Sequence, residues 1–209
     1  MTRHIRWFLV SLFMIIASAS LASAKTAPEA MGPGLWQEAM QVQKHFAGKV
    51  KNDKYMVVID YRRHSREPRF FLIDLKAGTA QSFLVSHGRN SDKNHDGYAD
   101  SFSNILGSKM SSLGAFVTAE TYYGKHGLSL RLDGLESQND AARDRAIVIH
   151  GADYVTPTRT KMGRSWGCPA LERAVAQTWI PKIANGVLVY TRGPDDQVQL
   201  YAEVVDKAG

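Results

Sequence analysis

Residues Ile147 to Glu172 read IVIHGADYVTPTRTKMGRSWGCPALE, and the rest of the chain can be read outward from them. Ile147-Val148-Ile149 is a short β-branched run of the kind that makes a buried strand. It delivers His150 to the strand end beside Gly151. A polar loop follows and closes on Gly163-Arg164-Ser165-Trp166-Gly167. Next comes Cys168, the one cysteine of the 209 residues. Pro169 and the helix-forming run from Ala170 to Ala176 follow. Proline at a first helical position is a start signal, so the sequence predicts a helix opening at Pro169 with Cys168 at its N-cap.

That placement predicts chemistry. The unpaired N–H groups and partial positive charge of a helix N-terminus stabilise a thiolate and lower its pKa. Gly167 permits a tight turn, and the N–H groups of Gly167 and Cys168 can converge on a developing oxyanion. His150, fixed at a strand end, is the candidate base for the thiol proton. The bland alternative is an inert buried cysteine and a hydrogen-bonded core histidine. Packing alone, however, requires neither the glycine nor the cap position.

The pair His150-Gly151 followed by Ser165-Trp166-Gly167-Cys168 resembles the YkuD-type L,D-transpeptidase catalytic domain. The run Gly163 to Leu171 is similar to the murein L,D-transpeptidase subfamily. Phe102-Ser103-Asn104, Ser111 to Phe116, Tyr122 to Gly127 and Ile147 to Val155 extend the likeness, which covers roughly residues 57 to 192. The resemblance implies a mainly-β catalytic domain and a Cys168 nucleophile with His150 as general base. It also implies that the carbonyl of Gly151 orients the imidazole, in preference to the nearby carboxylates Asp133, Glu136, Asp140 and Asp153. Substrate contacts are implied for Tyr122, His126, Arg164, Ser165 and Trp166, with Lys125 in the same segment. Two departures stand out. Trp166 replaces the usual histidine, and Ala170 replaces the usual arginine two residues after the nucleophile, so Arg164 is expected to supply that positive charge.

The implied reaction is acyl transfer on peptidoglycan stem peptides through a Cys168 thioester, with no cofactor and no metal. Two alternatives stay open. With water as acceptor the same pair gives an L,D-carboxypeptidase or cross-link hydrolase. With an inert thiol the domain is a wall-binding module.

The flanks are consistent with an exported protein. Arg3 and Arg6, the apolar run Phe8 to Ala17 and Ala22-Ser23-Ala24 read as a secretory signal over residues 1–24. The expected location is therefore the periplasm or cell envelope, as a monomer free of the membrane once the signal is cleaved. One thiol in such an oxidising compartment can make no internal disulfide. The net charge of +6 is diffuse, without a basic block carrying interleaved aromatics, which argues against nucleic acid.

Residues 25–34 read as a polar linker and residues 35–209 as the catalytic domain. Leu35 to Ala47 predicts an amphipathic helix ending at Gly48. Strands are predicted at Tyr55–Tyr61, Arg69–Leu75, Ala80–Ser86, Ala115–Tyr123, Leu128–Leu132, Ala146–His150, Val187–Thr191 and Val198–Val205. A second helix is predicted over Leu171–Ala184, broken near Pro181. Many strands with few helices predict a mainly-β sandwich or barrel-like domain. The long Ser86–Ser111 connection contains Asp92 to Asp100, spaced like a calcium loop. Ser103 stands where the bidentate glutamate belongs, so an Asx-rich turn is the preferred reading.

Overall fold

A computed structural model describes residues 25–195. The secretory segment expected at 1–24 and the strand expected at 198–205 lie outside the described residues. In chain order the elements are β1 (Lys25–Thr26), α1 (Ala27–Met31), α2 (Pro33–His45), β2 (Tyr55–Asp60), β3 (Phe70–Asp74), β4 (Thr79–Phe83), β5 (Gly114–Gly124), β6 (Gly127–Gly134), β7 (Val148–Gly151), β8 (Ala170–Leu171), α3 (Arg173–Trp179) and β9 (Leu188–Arg192). The fold is mainly β. The nine strands of the described residues form one sheet in the order β1-β4-β3-β2-β9-β5-β6-β7-β8.

The centre of the sheet is its most apolar part. β2 and β9 pair in parallel from Met56 opposite Leu188 to Asp60 opposite Arg192. Met56, Val57, Val58, Ile59, Leu188, Val189 and Tyr190 are all fully buried, the two-sided burial that a central parallel pair requires. Each large aliphatic there contributes about 1.5–3 kcal/mol. Glu38 of α2 accepts from the Tyr190 hydroxyl and, at 3.1 Å, from Arg192 Nε, which fixes the helix over the sheet. α2 buries Leu35, Ala39 and Val42, one face at helical spacing.

Residues 25–33 are not a linker. Lys25–Thr26 pairs with β4, and Ala27 and Met31 of α1 are buried. Thr26 and Glu29 form a capping box, and Pro28 occupies the first turn. The polar composition masked this, because only two side chains of the segment point inward.

The sheet curls toward closure. Val85, just beyond β4, bridges Leu171 of β8, and Ser86 N–H donates to Ala170 O at 2.9 Å. Strands near the two edges of the ribbon are thereby joined, which gives the barrel-like character expected from the strand count. Ser165 continues the contact: it bridges Gly88, and its N–H donates to His87 O at 2.9 Å.

A buried polar chain anchors the 86–111 connection. Arg69 is fully buried. It donates to Val85 O from Nε (3.2 Å) and Nη2 (3.0 Å), to Arg63 O (2.8 Å) and to His87 Nδ1 (2.7 Å). A guanidinium only donates, so Nδ1 carries the lone pair. His87 Nε2–H then donates to Asp92 Oδ2 at 3.1 Å. Asp92 also accepts from the N–H groups of Asp96 and Gly97, both at 3.0 Å. The first position of the calcium-like loop thus spends its carboxylate inward, in an Asx turn. Among the described residues no group of His, Cys, Asp or Glu is arranged to hold a metal ion.

Burial, and next the Arg69 charge, holds His87 down to about 3 from 6.5. The unfolded chain therefore binds a proton below about 6.5 that the folded chain refuses. Stability from this group is full above that pH and is lost as pH falls toward 3. His150, held down to about 4, acts in the same direction. Each tenfold difference in proton affinity between the folded and unfolded chains is worth about 1.4 kcal/mol. A loss of a few kcal/mol is therefore expected between pH 7 and pH 4. Urea unfolding midpoints across that range check this; a flat profile from pH 7 to 5 would overturn it.

Candidate active site

The site is built on β7. β8 runs parallel to it, His150 opposite Ala170 and Gly151 opposite Leu171. Extending that register by two residues sets Cys168 alongside Val148. This is where the structure departs from the sequence expectation. No helix opens at Pro169, and Cys168 is not a helix cap. The backbone groups of 170 and 171 are claimed by extended partners. Ala170 exchanges hydrogen bonds with Ser86 (N–H to Oγ 3.3 Å), and Leu171 O accepts from Ala152 N–H at 2.9 Å. α3 begins only at Arg173, with Glu172 at the N-cap. It ends at Trp179, shortly before Pro181.

The thiol is therefore not acidified by a helix. Burial pushes Cys168 up, against the pull of the Val148 N–H, the Arg145 and Lys125 charges and its own N–H. The Sγ–H donates to Ala146 O at 3.6 Å. Ala146 is left-handed (φ 52°), unusual for a residue with a Cβ, and lies just before β7 beside the thiol.

His150 is 2% exposed, and its Nδ1 stands 3.0 Å from Gly151 O. A carbonyl only accepts, so Nδ1 carries the proton and Nε2 keeps the lone pair. The carboxylates are engaged elsewhere: Asp133 with Arg143, Asp153 with Arg173, Asp140 with Asn104, and Glu136 with the Ala115 N–H. Burial holds His150 down to about 4, and the His126, Arg173 and Lys125 charges add to it. His126 stacks on His150 with centroids 4.2 Å apart and planes 23° from parallel. Both shifts favour the neutral imidazole and thiol over an ion pair.

Cys168 and His150 open onto one cleft of about 440 Å³, the size of a small-ligand site. Tyr122, Lys125, His126, Arg145, Tyr154, Arg164, Ser165 and Trp166 also line it, with no Asp or Glu. Trp166 is 68% exposed, with the ammoniums of Lys109 and Lys125 at 4.8 and 5.5 Å from its ring. Tyr122 lies under Arg131.

Three expected roles are corrected. Gly167 does not direct its N–H into the cleft; that group donates to Ser165 Oγ at 3.1 Å. Of the two N–H groups expected at an oxyanion, that of Gly167 is thus spent within its own loop. The Ser165 hydroxyl is committed inward: it donates to Cys168 O at 2.6 Å, and His87 O lies 3.2 Å away, so the side chain shapes the loop. Arg164 donates to Arg89 O and Asp92 O, and the cations whose charge reaches the thiol are Arg145 and Lys125. Sequence reading missed Arg145, Ala146 and Tyr154. No spacing marks them, and the acceptors of Arg145 lie in the distant 103–112 segment.

A family model described as the L,D-transpeptidase catalytic domain matches residues 28–191, most of the chain. The chain belongs to the L,D-transpeptidase catalytic-domain family. None of the curated proteins matches it. Solved structures similar to it include an L,D-transpeptidase from Mycobacterium smegmatis (11% identity, TM-score 0.44, 67% of this chain and 59% of that chain). L,D-transpeptidase 3 from Mycobacterium tuberculosis matches at 12% identity and TM-score 0.44, over 66% of this chain and 61% of that one. A helical cell shape determining protein from Campylobacter jejuni matches at 12% identity and TM-score 0.45, over 76% and 55%. The chain thus spans about three fifths of the length of these proteins. Within the family, this member carries Trp166 at the cleft mouth and Ala170 as a buried strand residue.

Proposed function

We propose that this L,D-transpeptidase domain is an exported cysteine acyltransferase acting on peptidoglycan stem peptides in the cell envelope. One observation carries the reading. The single thiol of the chain opens onto the same cleft as an imidazole whose Nδ1–H is tied to Gly151 O, which leaves Nε2 as a base.

In the proposed cycle a turn about the Cys168 side chain carries Sγ from Ala146 O toward His150. Nε2 takes the thiol proton, and sulfur bonds to the donor carbonyl carbon. The N–H of Cys168 donates to the tetrahedral oxyanion. The C–N bond breaks, and the leaving amine takes its proton from His150. An acceptor amine then attacks the thioester, giving its proton to His150, and the released sulfur is reprotonated. The cationic, carboxylate-free cleft suits a donor that carries carboxylates. Intact-protein mass spectrometry after exposure to a tetrapeptide donor tests this. The expected product is an acyl adduct on Cys168, with loss of the terminal residue. A folded protein that gives no adduct and no turnover with any stem peptide would sink the proposal. With a second stem peptide present, a dimer product marks transfer and a shortened monomer marks hydrolysis.

A pH profile follows from His150. The base must be neutral, so kcat/KM should hold from neutral pH down to about 5 and be half lost near pH 4. An ordinary histidine would give a limb near 6.5. A limb at about 6 or above, in samples shown by circular dichroism to be folded, contradicts this assignment.

A further inference from the structure

Arg145 differs from most arginines of the described residues in how its charge is met. Arg62, Arg63, Arg131, Arg143, Arg173 and Arg192 each face a carboxylate. The acceptors of Arg145 are all neutral. Its Nη1 donates to Ser103 O (2.6 Å) and Ser112 Oγ, and its Nη2 to Ser108 Oγ (3.1 Å) and Met110 O (2.6 Å). These four bonds use every N–H of the two terminal nitrogens. Only Nε–H is left, so the group has no second pair with which to grip a substrate carboxylate. Its charge is fixed in place and half-buried.

It is fixed beside the nucleophile. A Cβ on Gly167 would come within 3.4 Å of Arg145 Nη2 and 2.6 Å of Met110 O, and Gly167 is left-handed at φ 123°. The guanidinium thus lies against the residue preceding Cys168, and Arg145 and Cys168 line one cleft. The next residue, Ala146, supplies the carbonyl that receives the thiol hydrogen. A half-buried cation without a carboxylate is costly unless negative charge arises nearby. The group whose negative charge would reach it is Cys168. The other titratable or charged groups around that sulfur are Lys125 and His126 from the β5–β6 turn, His150 of β7, Tyr154, Arg164 and Tyr61 at the end of β2.

We propose that Arg145 is the positioning residue of this site, a clamped cation that joins the 103–112 segment to the nucleophile loop and steadies the sulfur's negative charge as it forms. This rests on Cys168 being the nucleophile, but its first test needs no substrate. Cys168 is the one thiol, so the rate of iodoacetamide alkylation against pH reads its ionisation directly. Arg145→Met is expected to slow alkylation at about pH 8 roughly tenfold and move the midpoint up by about one pH unit. Arg145→Lys keeps the charge but cannot span four acceptors. It should keep the midpoint within about half a pH unit while Cys168 acylation by a tetrapeptide donor slows at least about tenfold. Superimposable profiles for Arg145→Met and wild type overturn the charge role. Unreduced acylation in Arg145→Lys overturns the clamp. Should Arg145→Met fail to fold, Arg145→Lys decides alone, and a midpoint displaced by more than about half a pH unit counts against the proposal. If no donor acylates the wild-type protein, the acyltransferase reading fails while the alkylation profiles still judge Arg145.

Discussion

Cys168→Ala is expected to lose turnover on stem peptides by at least about a thousandfold, with no covalent adduct at any time point. No other side chain in the cleft can form the thioester, because the chain has no second cysteine and Ser165 holds its hydroxyl against Cys168 O and His87 O. The fold should hardly notice. Cys168 as a residue is partly exposed at the cleft, and its Sγ–H donates only through a long contact to Ala146 O. A melting temperature within a few degrees of wild type would separate lost chemistry from lost structure. Turnover retained above about a hundredth of wild type would remove sulfur from the mechanism.

Arg69→Met should give the largest loss of stability, about 3–5 kcal/mol by urea unfolding. The substitution keeps an apolar stem but strips the donors from Val85 O, Arg63 O and His87 Nδ1. Buried acceptors without donors cost about 1–3 kcal/mol each, and Asp92 loses the cation at the far end of its chain. The damage should reach the site, because His87 O holds Ser165 N–H and Ser165 holds the Cys168 loop. Donor acylation should therefore fall along with stability. A cost below about 1 kcal/mol would mean that this chain is incidental to the fold.

Much of the architecture was legible from short apolar runs. β2, β3, β5, β7 and β9 lie where β-branched and aromatic runs predict strands, since a buried strand needs apolar residues on one or both faces. α2 shows its spacing at Leu35, Ala39 and Val42. The residues after Cys168 misled for an instructive reason. Proline followed by Ala-Leu-Glu-Arg-Ala has strong local helix character, yet Ser86 and β7 claim Ala170 and Leu171 for an extended ladder. Tertiary hydrogen bonds outweighed local propensity, and the helix start moved to Arg173. Residues 25–33 misled in the opposite sense, because a polar segment with two inward side chains has no periodicity to read.

By itself the sequence determined that the domain is mainly β, that it holds one thiol in a Gly-Cys-Pro context, and that an imidazole stands at the end of a buried strand. These are properties of residue type and spacing. Only the tertiary structure decided the electrostatics. It put Cys168 beside a strand and not at a helix end, turned Gly167 N–H inward, tied Arg164 to the carbonyls of Arg89 and Asp92, and brought Arg145 against the loop that carries Cys168. Charge acts through space over a few ångströms, and the residues that set it here are separated by tens of positions along the chain.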